Sequence, residues 1–245
     1  MPYIMRTVKA GNTKEITKYY SARYGRKHRR LENRAETEEK QKRVNENNAE
    51  DKLRWLINSN FKKDDLFILL TYAGDAPEPE EAARALAAFL RKLRKEYRKR
   101  GKELKYIAVT EYEAKRIHHH VIANDIDYKI ISSLWTAGQA RFETTYSDDF
   151  YKLAHYLVKE TNRTYKDKQA SSKRWNASKN LKKPEIEKEI VKADSWRKVP
   201  QDKDGYKVQV DSIVNSFDYY GYPYQKYTMI KNTNEKSKNR LHRRI

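Results

Sequence analysis

The chain contains no cysteine, and this absence removes several kinds of chemistry at once. Scaffolds held by disulfides, thiolate nucleophiles and zinc sites built on cysteine are all excluded. Any metal ion must therefore be held by histidine, aspartate, glutamate or backbone oxygen. A Gly-rich phosphate loop of the Walker type is also absent, so we expect no fused helicase in this chain.

Long hydrophobic runs are lacking as well. No stretch approaches the roughly 18 apolar residues that a membrane-spanning helix requires. The first residues, Met1 to Ile16, do not contain the hydrophobic segment of a secretion signal. We therefore expect a cytoplasmic protein with no membrane partner.

Acidic residues are too few to balance the basic ones. The 54 Lys and Arg residues outnumber 34 Asp and Glu residues, which gives a formal net charge of +20. This excess favours a nucleic-acid partner. The 19 tyrosines could add a second type of contact, because their rings can stack on unpaired bases. Most of them, however, are expected to fill the core or the surface, since hydrophobic residues make up only 38% of the chain.

The middle of the chain alternates between strand-like and helix-like patterns. Leu66 to Tyr72 is a short apolar run typical of a buried strand, and Pro77 and Pro79 then open an amphipathic helix that Gly101 ends. Further strands are predicted at 105–113, 117–123 and 140–146, and further helices at 127–135 and 148–160. The order β-α-β-β-α-β-α predicts an α+β fold with a central antiparallel sheet flanked by helices.

Three parts of the chain are expected from these changes in pattern. Residues 1–60 are predicted to form a basic N-terminal arm and a helix, and residues 61–165 the catalytic core. Residues 166–245 are predicted to form an extension with weakly marked strands near Tyr206 to Val214 and Tyr222 to Ile230, followed by a basic tail.

Three consecutive histidines lie on one predicted strand. Alternate side chains of a strand share a face, so His118 and His120 point one way and His119 the other. If the preceding hairpin turns tightly at 114–115, Glu111 lies opposite His118 on the same face, and a register shift of two would substitute Glu113. Two imidazoles and one carboxylate would suit Mn²⁺ or Mg²⁺ acting on a phosphate. The competing interpretation is an exposed polar strand face without a metal.

The helix after the last predicted core strand contains a candidate nucleophile. Lys152, Tyr156 and Lys159 lie along one stripe of this helix, while Phe150, Leu153 and Leu157 form the buried one; they are spaced by three or four residues. A neighbouring cation would stabilise the phenolate that develops when Tyr156 attacks. Tyr151 is the competing candidate, about 140° around the helix from Tyr156.

These residues, in this order, resemble the HUH endonucleases, and within them the replication initiators of small phages and rolling-circle plasmids. The resemblance covers about Asp64 to Glu160. The family's core strand corresponds to Leu66 to Thr71, its His-hydrophobe-His metal motif to His118-His119-His120, and its Tyr-x-x-Lys motif to Tyr156 to Lys159. Here the middle residue of the metal motif is a histidine instead of an aliphatic residue.

The resemblance implies a ferredoxin-like sheet and a specific reaction. Tyr156 would attack a phosphodiester of single-stranded DNA at a metal held by Glu111, His118 and His120, and Lys159 would offset or orient the tyrosine. The products would be a 5′-phosphotyrosyl enzyme and a free 3′-OH that primes replication. A mechanism with a second tyrosine, Tyr151, stays open, since some members of the family use two.

The implied partner is single-stranded DNA at a replication origin, which could form a stem-loop, together with a host helicase and polymerase. Two other functions compete with this one: a non-catalytic protein that binds single-stranded DNA or RNA, and a transposase or relaxase with the same chemistry. The candidate DNA-contacting residues lie in the basic aromatic stretch after Tyr19, on the tyrosine helix and in the segment after Glu160; they are Tyr24, Arg26, Lys27, Arg29, Arg30, Lys152, Arg174 and Trp175.

Overall fold

The computed structural model describes residues 2–21, 24–25, 39–113, 116–144, 147–166, 173–218 and 220–232, and it divides the chain into two compact units. One unit consists of Met1–Glu38 and Lys183–Ile245, and the other of Glu39–Lys182. This division differs from the expected three parts. Strands from both ends of the chain share one sheet, and no local sequence pattern shows that pairing. The helix before the core packs with the core through apolar residues near its end, such as Leu53 and Ile57.

The described elements alternate through both units. In chain order they are β1 (Tyr3–Ala10), β2 (Thr13–Tyr20), α1 (Glu39–Asn60), β3 (Leu66–Thr71), α2 (Pro79–Lys99), β4 (Tyr106–Glu113), β5 (Arg116–Ala123), α3 (Tyr128–Leu134), β6 (Ala140–Thr144), α4 (Tyr151–Lys166), β7 (Asn176–Ala177), β8 (Glu185–Val191), β9 (Tyr206–Val208), β10 (Val214–Phe217) and β11 (Pro223–Lys231). No helix among the described residues is both long enough and apolar enough to cross a membrane.

The first unit contains an antiparallel sheet of strands from both ends of the chain. Its order is β10-β11-β2-β1-β8, with β9 also paired to β11. A small hydrophobic core packs on one face of this sheet; its buried residues are Ile16, Val208, Tyr227 and Met229. The expectation of an arm was wrong at Tyr19 and Tyr20, which belong to β2. The two-residue turn of Gly11 and Asn12 between two strand-like runs was the available indication of this hairpin.

The second unit contains the predicted core sheet. Its order is β6-β3-β5-β4-β7, and all pairs are antiparallel. The run β3-α2-β4-β5-α3-β6 places β5 between β3 and β4, which is the split β-α-β arrangement of the ferredoxin-like fold. The predicted α+β class is therefore confirmed. The predicted strands and helices are all present, although α4 extends further than expected, to Lys166.

Both faces of this sheet are covered, because alternate residues of its central strands enter different cores. Leu66, Ile68 and Leu70 of β3 pack with the apolar residues of α2 and α3. The intervening Phe67 packs on the other face, with the apolar residues of α1 and α4. The sheet thus separates a layer formed by α2 and α3 from a layer formed by α1 and α4.

Gly138 lies where the chain passes closest to the end of β3. The backbone N–H of Thr71 donates to the carbonyl of Gln139 at 2.9 Å. A Cβ at Gly138 would meet the Thr71 carbonyl oxygen and would lie 2.7 Å from the backbone of Tyr72. We expect Gly138→Ala to lower the free energy of unfolding by about 1–3 kcal/mol, since backbone atoms must shift to admit the methyl group.

Urea denaturation of the purified protein would measure this loss. Thr136→Ala, at an exposed position of the same connection, is the control and should change stability by less than about 0.5 kcal/mol. Equal stability of Gly138→Ala and the unaltered chain would show that the connection can move away from β3 at no cost.

Candidate active site

The β4–β5 hairpin has the register that the sequence predicted. Glu113 is paired with Arg116 and Glu111 with His118. Cross-strand partners of an antiparallel pair share a face, so Glu111, His118 and His120 all lie on the face toward α1 and α4. The expected carboxylate and both expected imidazoles are therefore on the same side of the sheet.

Glu111 and His120 are in direct contact in this position. Glu111 Oε2 lies 3.1 Å from His120 Nε2, and the two residues are 7% and 4% exposed. Two ligand atoms that each lie about 2.1 Å from one ion, at a right angle, are about 3.0 Å apart. The spacing of this oxygen and nitrogen therefore fits a shared metal ion as well as a hydrogen bond.

The chemical state of His120 also fits a metal ligand. Burial, followed by the neighbouring His118, lowers the pKa of His120 to about 4, while Glu160 acts in the opposite direction. The imidazole is thus neutral at pH 7, as coordination requires. Its other nitrogen, Nδ1, is buried and has no hydrogen-bond partner among the described residues, so a metal held at Nε2 would leave Nδ1 to a water molecule.

His118 lies on the same face of the sheet as Glu111 and His120 but does not take part in their contact. It is half-buried, two residues before His120 on β5 and directly across from Glu111. Within the described part of the chain, no group of three or more His, Asp or Glu side chains is close enough to hold a metal ion. The structure therefore assembles two of the three predicted ligands and leaves the third beside them on the strand.

His119 occupies the opposite face, where it is a core residue. One ring nitrogen is 2.7 Å from the Tyr72 hydroxyl and the other 2.9 Å from Thr110 Oγ1, and the ring packs edge-on against Trp135. Burial lowers the pKa of His119 to about 4, so the ring is neutral and both nitrogens are already hydrogen-bonded. His119 is thus a hydrogen-bonded core residue, and neither of its ring nitrogens is available to a metal.

Tyr156 of α4 lies against the Glu111–His120 pair. Its ring centroid is 5.4 Å from that of His120, in an edge-on arrangement, and the residue is 40% exposed. Burial raises the pKa of Tyr156, and the negative charges of Glu111, Glu160 and Glu143 raise it further. The phenol is therefore beside the candidate metal ligands, in surroundings that oppose formation of the phenolate.

Two of these carboxylates were not identified from the sequence. Glu160 lies four residues after Tyr156 on α4, a spacing that places both on one helix face, and this was the available indication. Glu143 lies on β6, and only the strand order brings it near. These three negative charges oppose ionisation of the phenol, and a divalent cation bound nearby would act in the opposite direction.

The expected lysine neighbours of Tyr156 are not in contact with it. Lys152 and Lys159 are both exposed on α4, and neither forms a hydrogen bond or ion pair with any residue that the structure describes. The two lysines lie on the exposed side of α4, as predicted, but their side chains are in solvent. Neither lysine is among the groups that shift the pKa of Tyr156.

The start of α4 is fixed to α1 by a polar cluster. Arg54 donates from Nε to one Asp149 carboxylate oxygen at 2.7 Å and from a terminal nitrogen to the other at 2.5 Å. Asn58 also donates to Asp149, at 3.0 Å, and accepts from the backbone N–H of Phe150 at 3.0 Å. These bonds, with the apolar face of α4, position the helix that carries Tyr156.

Tyr151 faces elsewhere. It is 51% exposed, stacks on His155 and lies under the guanidinium of Arg54 at 5.4 Å. No contact joins it to Glu111 or His120 among the described residues. Of the two candidate nucleophiles, only Tyr156 lies at the predicted metal ligands.

The remaining predicted DNA contacts are scattered. Tyr24 and Lys152 are exposed, Arg174 is half-buried, and Trp175 packs against the core beneath α1 and α4. Trp175 is thus a core-packing residue, the usual role of a tryptophan. The four other predicted contacts lie outside the described residues; they are Arg26, Lys27, Arg29 and Arg30.

Comparison with known proteins places this site in a matched region. Residues 65–170 match the family described as Replication-associated protein ORF2/G2P. The matched segment runs from β3 through α4 and contains Glu111, His118, His120 and Tyr156. The match supports a Rep-type replication protein with a role in initiating replication. Comparisons with curated proteins and with solved structures gave no match.

Proposed function

We propose that the chain is a rolling-circle replication initiator. It acts as a metal-dependent endonuclease that nicks single-stranded DNA at an origin through a 5′-phosphotyrosine and can rejoin the strand. The observation that supports this function best is the contact of Tyr156 with the Glu111–His120 pair, inside the segment that matches a replication-associated family.

The donor set suits a hard divalent cation, Mn²⁺ or Mg²⁺. Glu111 and His120 would hold it, with His118 joining from the same face of β5. One carboxylate and two imidazoles leave positions open for phosphate oxygen. When bound, the cation supplies positive charge that polarises a non-bridging oxygen of the phosphate that is attacked.

The proposed reaction exchanges one bond to phosphorus for another, with Tyr156 as the attacking group. The Tyr156 oxygen forms a bond to phosphorus and loses its proton to solvent, while the bond from phosphorus to the 3′ oxygen breaks and that oxygen takes up a proton. Lys159, exposed one turn along α4, would offset charge on the phosphate. The phosphotyrosine bond retains the energy of the broken phosphodiester, so rejoining is the reverse reaction and needs no nucleotide cofactor.

The proposed partners follow from this reaction. The substrate is single-stranded DNA at an origin, presented in a strand or a stem-loop within the cytoplasm. The released 3′-OH is a primer that a host polymerase can extend, and strand separation falls to a host helicase.

Adduct formation tests the proposal. The protein is mixed with Mn²⁺ and single-stranded fragments that cover its own replicon, and a denaturation-resistant protein–DNA adduct is expected on a denaturing gel. EDTA added before the DNA should prevent formation of the adduct. Tight binding without an adduct on any fragment would instead support a non-catalytic protein that binds single strands.

Substitution of the carboxylate ligand tests the metal site itself. Glu111→Gln keeps the shape but removes the negative charge, so adduct formation should fall at least about 100-fold, along with affinity for Mn²⁺ measured by calorimetry. Glu113→Gln, two residues along the same strand face, is the matched control and should keep both. Loss in the control alone would assign the ligand to Glu113.

A further inference from the structure

The second half of α2 and the three residues after it form the most basic part of the second unit. Residues 91–102 contain eight Lys or Arg and one acid, Glu96. Glu96 is already paired with Lys99 and Arg100, at 2.7 Å each. Other cations of this segment are exposed and form no ion pair or hydrogen bond with any described residue; they include Arg91, Lys92, Lys95 and Arg98.

Three of these cations form one line, which we call the basic stripe: Arg91, Lys95 and Arg98. At 100° per residue they fall within an arc of about 60°, and at 1.5 Å per residue they span about 10 Å. The buried residues of α2, such as Leu86, Leu93 and others of its apolar face, lie about 160° away. The basic stripe therefore points directly into solvent.

The stability of the helix does not explain the basic stripe. Positive charge near a helix C-terminus is favourable, but the effect is confined to the last turn. It can account for Arg98, in the last turn of α2, but not for Arg91 or Lys95. Like charges spaced by three or four residues destabilise a helix by about 0.2–0.5 kcal/mol per pair. The arrangement therefore costs stability unless an anionic ligand is bound.

The basic stripe is also separate from the candidate active site. α2 packs on the face of the sheet that includes Ile68 and Leu70, whereas α4 packs on the face that includes Phe67. Two layer spacings of about 10 Å place the helices roughly 20 Å apart. A DNA strand would have to pass around the sheet, so at about 3.4 Å per nucleotide the two sites are more than about six nucleotides apart.

We infer that the basic stripe binds the phosphodiester backbone of DNA outside the segment that is cleaved. The exposed cations themselves indicate a polyanionic ligand, and only the choice of DNA as that ligand rests on the proposed function. Phosphates recur along a DNA strand, and a line of three exposed cations with no protein partners complements them. The basic stripe holds the nucleic acid without sequence preference, while Tyr156 of α4, on the other side of the sheet, performs the chemistry.

The test measures DNA binding without cleavage. Fluorescence anisotropy is recorded in EDTA, in a Tyr156→Phe background, with an oligothymidine of about 30 nucleotides and with a mixed duplex of about 30 base pairs. The variant Arg91→Gln/Lys95→Gln/Arg98→Gln should bind about tenfold or more weakly at about 0.1 M salt. The slope of log affinity against log salt should decrease by about 2 on the single strand or about 2.7 on the duplex. The probe that shows the decrease identifies the form of DNA that is held.

A control with the same loss of charge separates the basic stripe from bulk electrostatics. Lys63→Gln/Lys129→Gln/Lys179→Gln alters three exposed cations of the same unit, none of them on α2, and should keep nearly the unaltered affinity and slope. Equal effects of both variants would overturn the inference, and so would unchanged DNA binding by the basic-stripe variant. Loss of binding only to vesicles of phosphatidylglycerol would also overturn it. Failure to nick DNA would contradict the proposed function but would leave this measurement unaffected.

Discussion

Tyr156→Phe should abolish the covalent protein–DNA adduct and leave DNA affinity within about twofold. The substitution removes only the oxygen that attacks phosphorus, while the ring can keep its edge-on packing against His120. Loss of the nucleophile in covalent catalysis lowers turnover by at least about 10³-fold. Gel analysis of the adduct and anisotropy with the same fragment would measure the two effects separately.

Tyr151→Phe is the matched control, because it alters a tyrosine on the same helix that has no described contact with Glu111 or His120. It should retain the adduct. An adduct that survives in Tyr156→Phe and disappears in Tyr151→Phe would transfer the nucleophile to Tyr151. Loss in both would indicate two acting tyrosines.

Asp149→Ala should lower the free energy of unfolding by about 3–5 kcal/mol. The carboxylate accepts two bonds from Arg54, and the side chains of the two residues are only 17% and 6% exposed. Removing one member of a buried pair leaves a desolvated charge, and that residual charge accounts for most of the loss. Urea denaturation followed by circular dichroism would measure it.

The double variant Arg54→Met/Asp149→Leu distinguishes this cause from a general loss of packing. With both charges removed, the desolvation cost is removed too, so the double variant should be more stable than Asp149→Ala. If the double variant is less stable than the single one, the hydrogen bonds from Asn58 and the shape of the site matter more than the charge. Adduct yield at low temperature would show whether α4 still positions Tyr156.

The register of the metal-binding hairpin could be predicted because local rules determine it. Two strand-like runs separated by only two residues predict Glu113 opposite Arg116, and the two-residue repeat of a strand then places Glu111 opposite His118, as the structure has them. The division of α4 into a buried and an exposed stripe is local in the same way, since it follows from helical periodicity. These two rules were enough to predict which side chains of the hairpin share a face and which face of α4 is exposed.

Features that depend on distant segments could not be predicted in this way. Glu143 acts on Tyr156 only because β6 pairs with β3, and no periodicity within β6 contains that information. The position of the His118 ring depends on side-chain packing and not on register, so the sequence predicted a set of three ligands where two are in contact. The sheet of the first unit joins strands more than 150 residues apart, such as β1 and β8.

That sheet has a consequence for the order in which the protein is made. β2 is paired with β1 on one edge and with β11 on the other, so its second edge has no partner until Pro223–Lys231 has been synthesised. The second unit contains its complete sheet once residue 182 has left the ribosome. On the ribosome, the β1–β2 hairpin is therefore translated before the core sheet but reaches its final pairing after it.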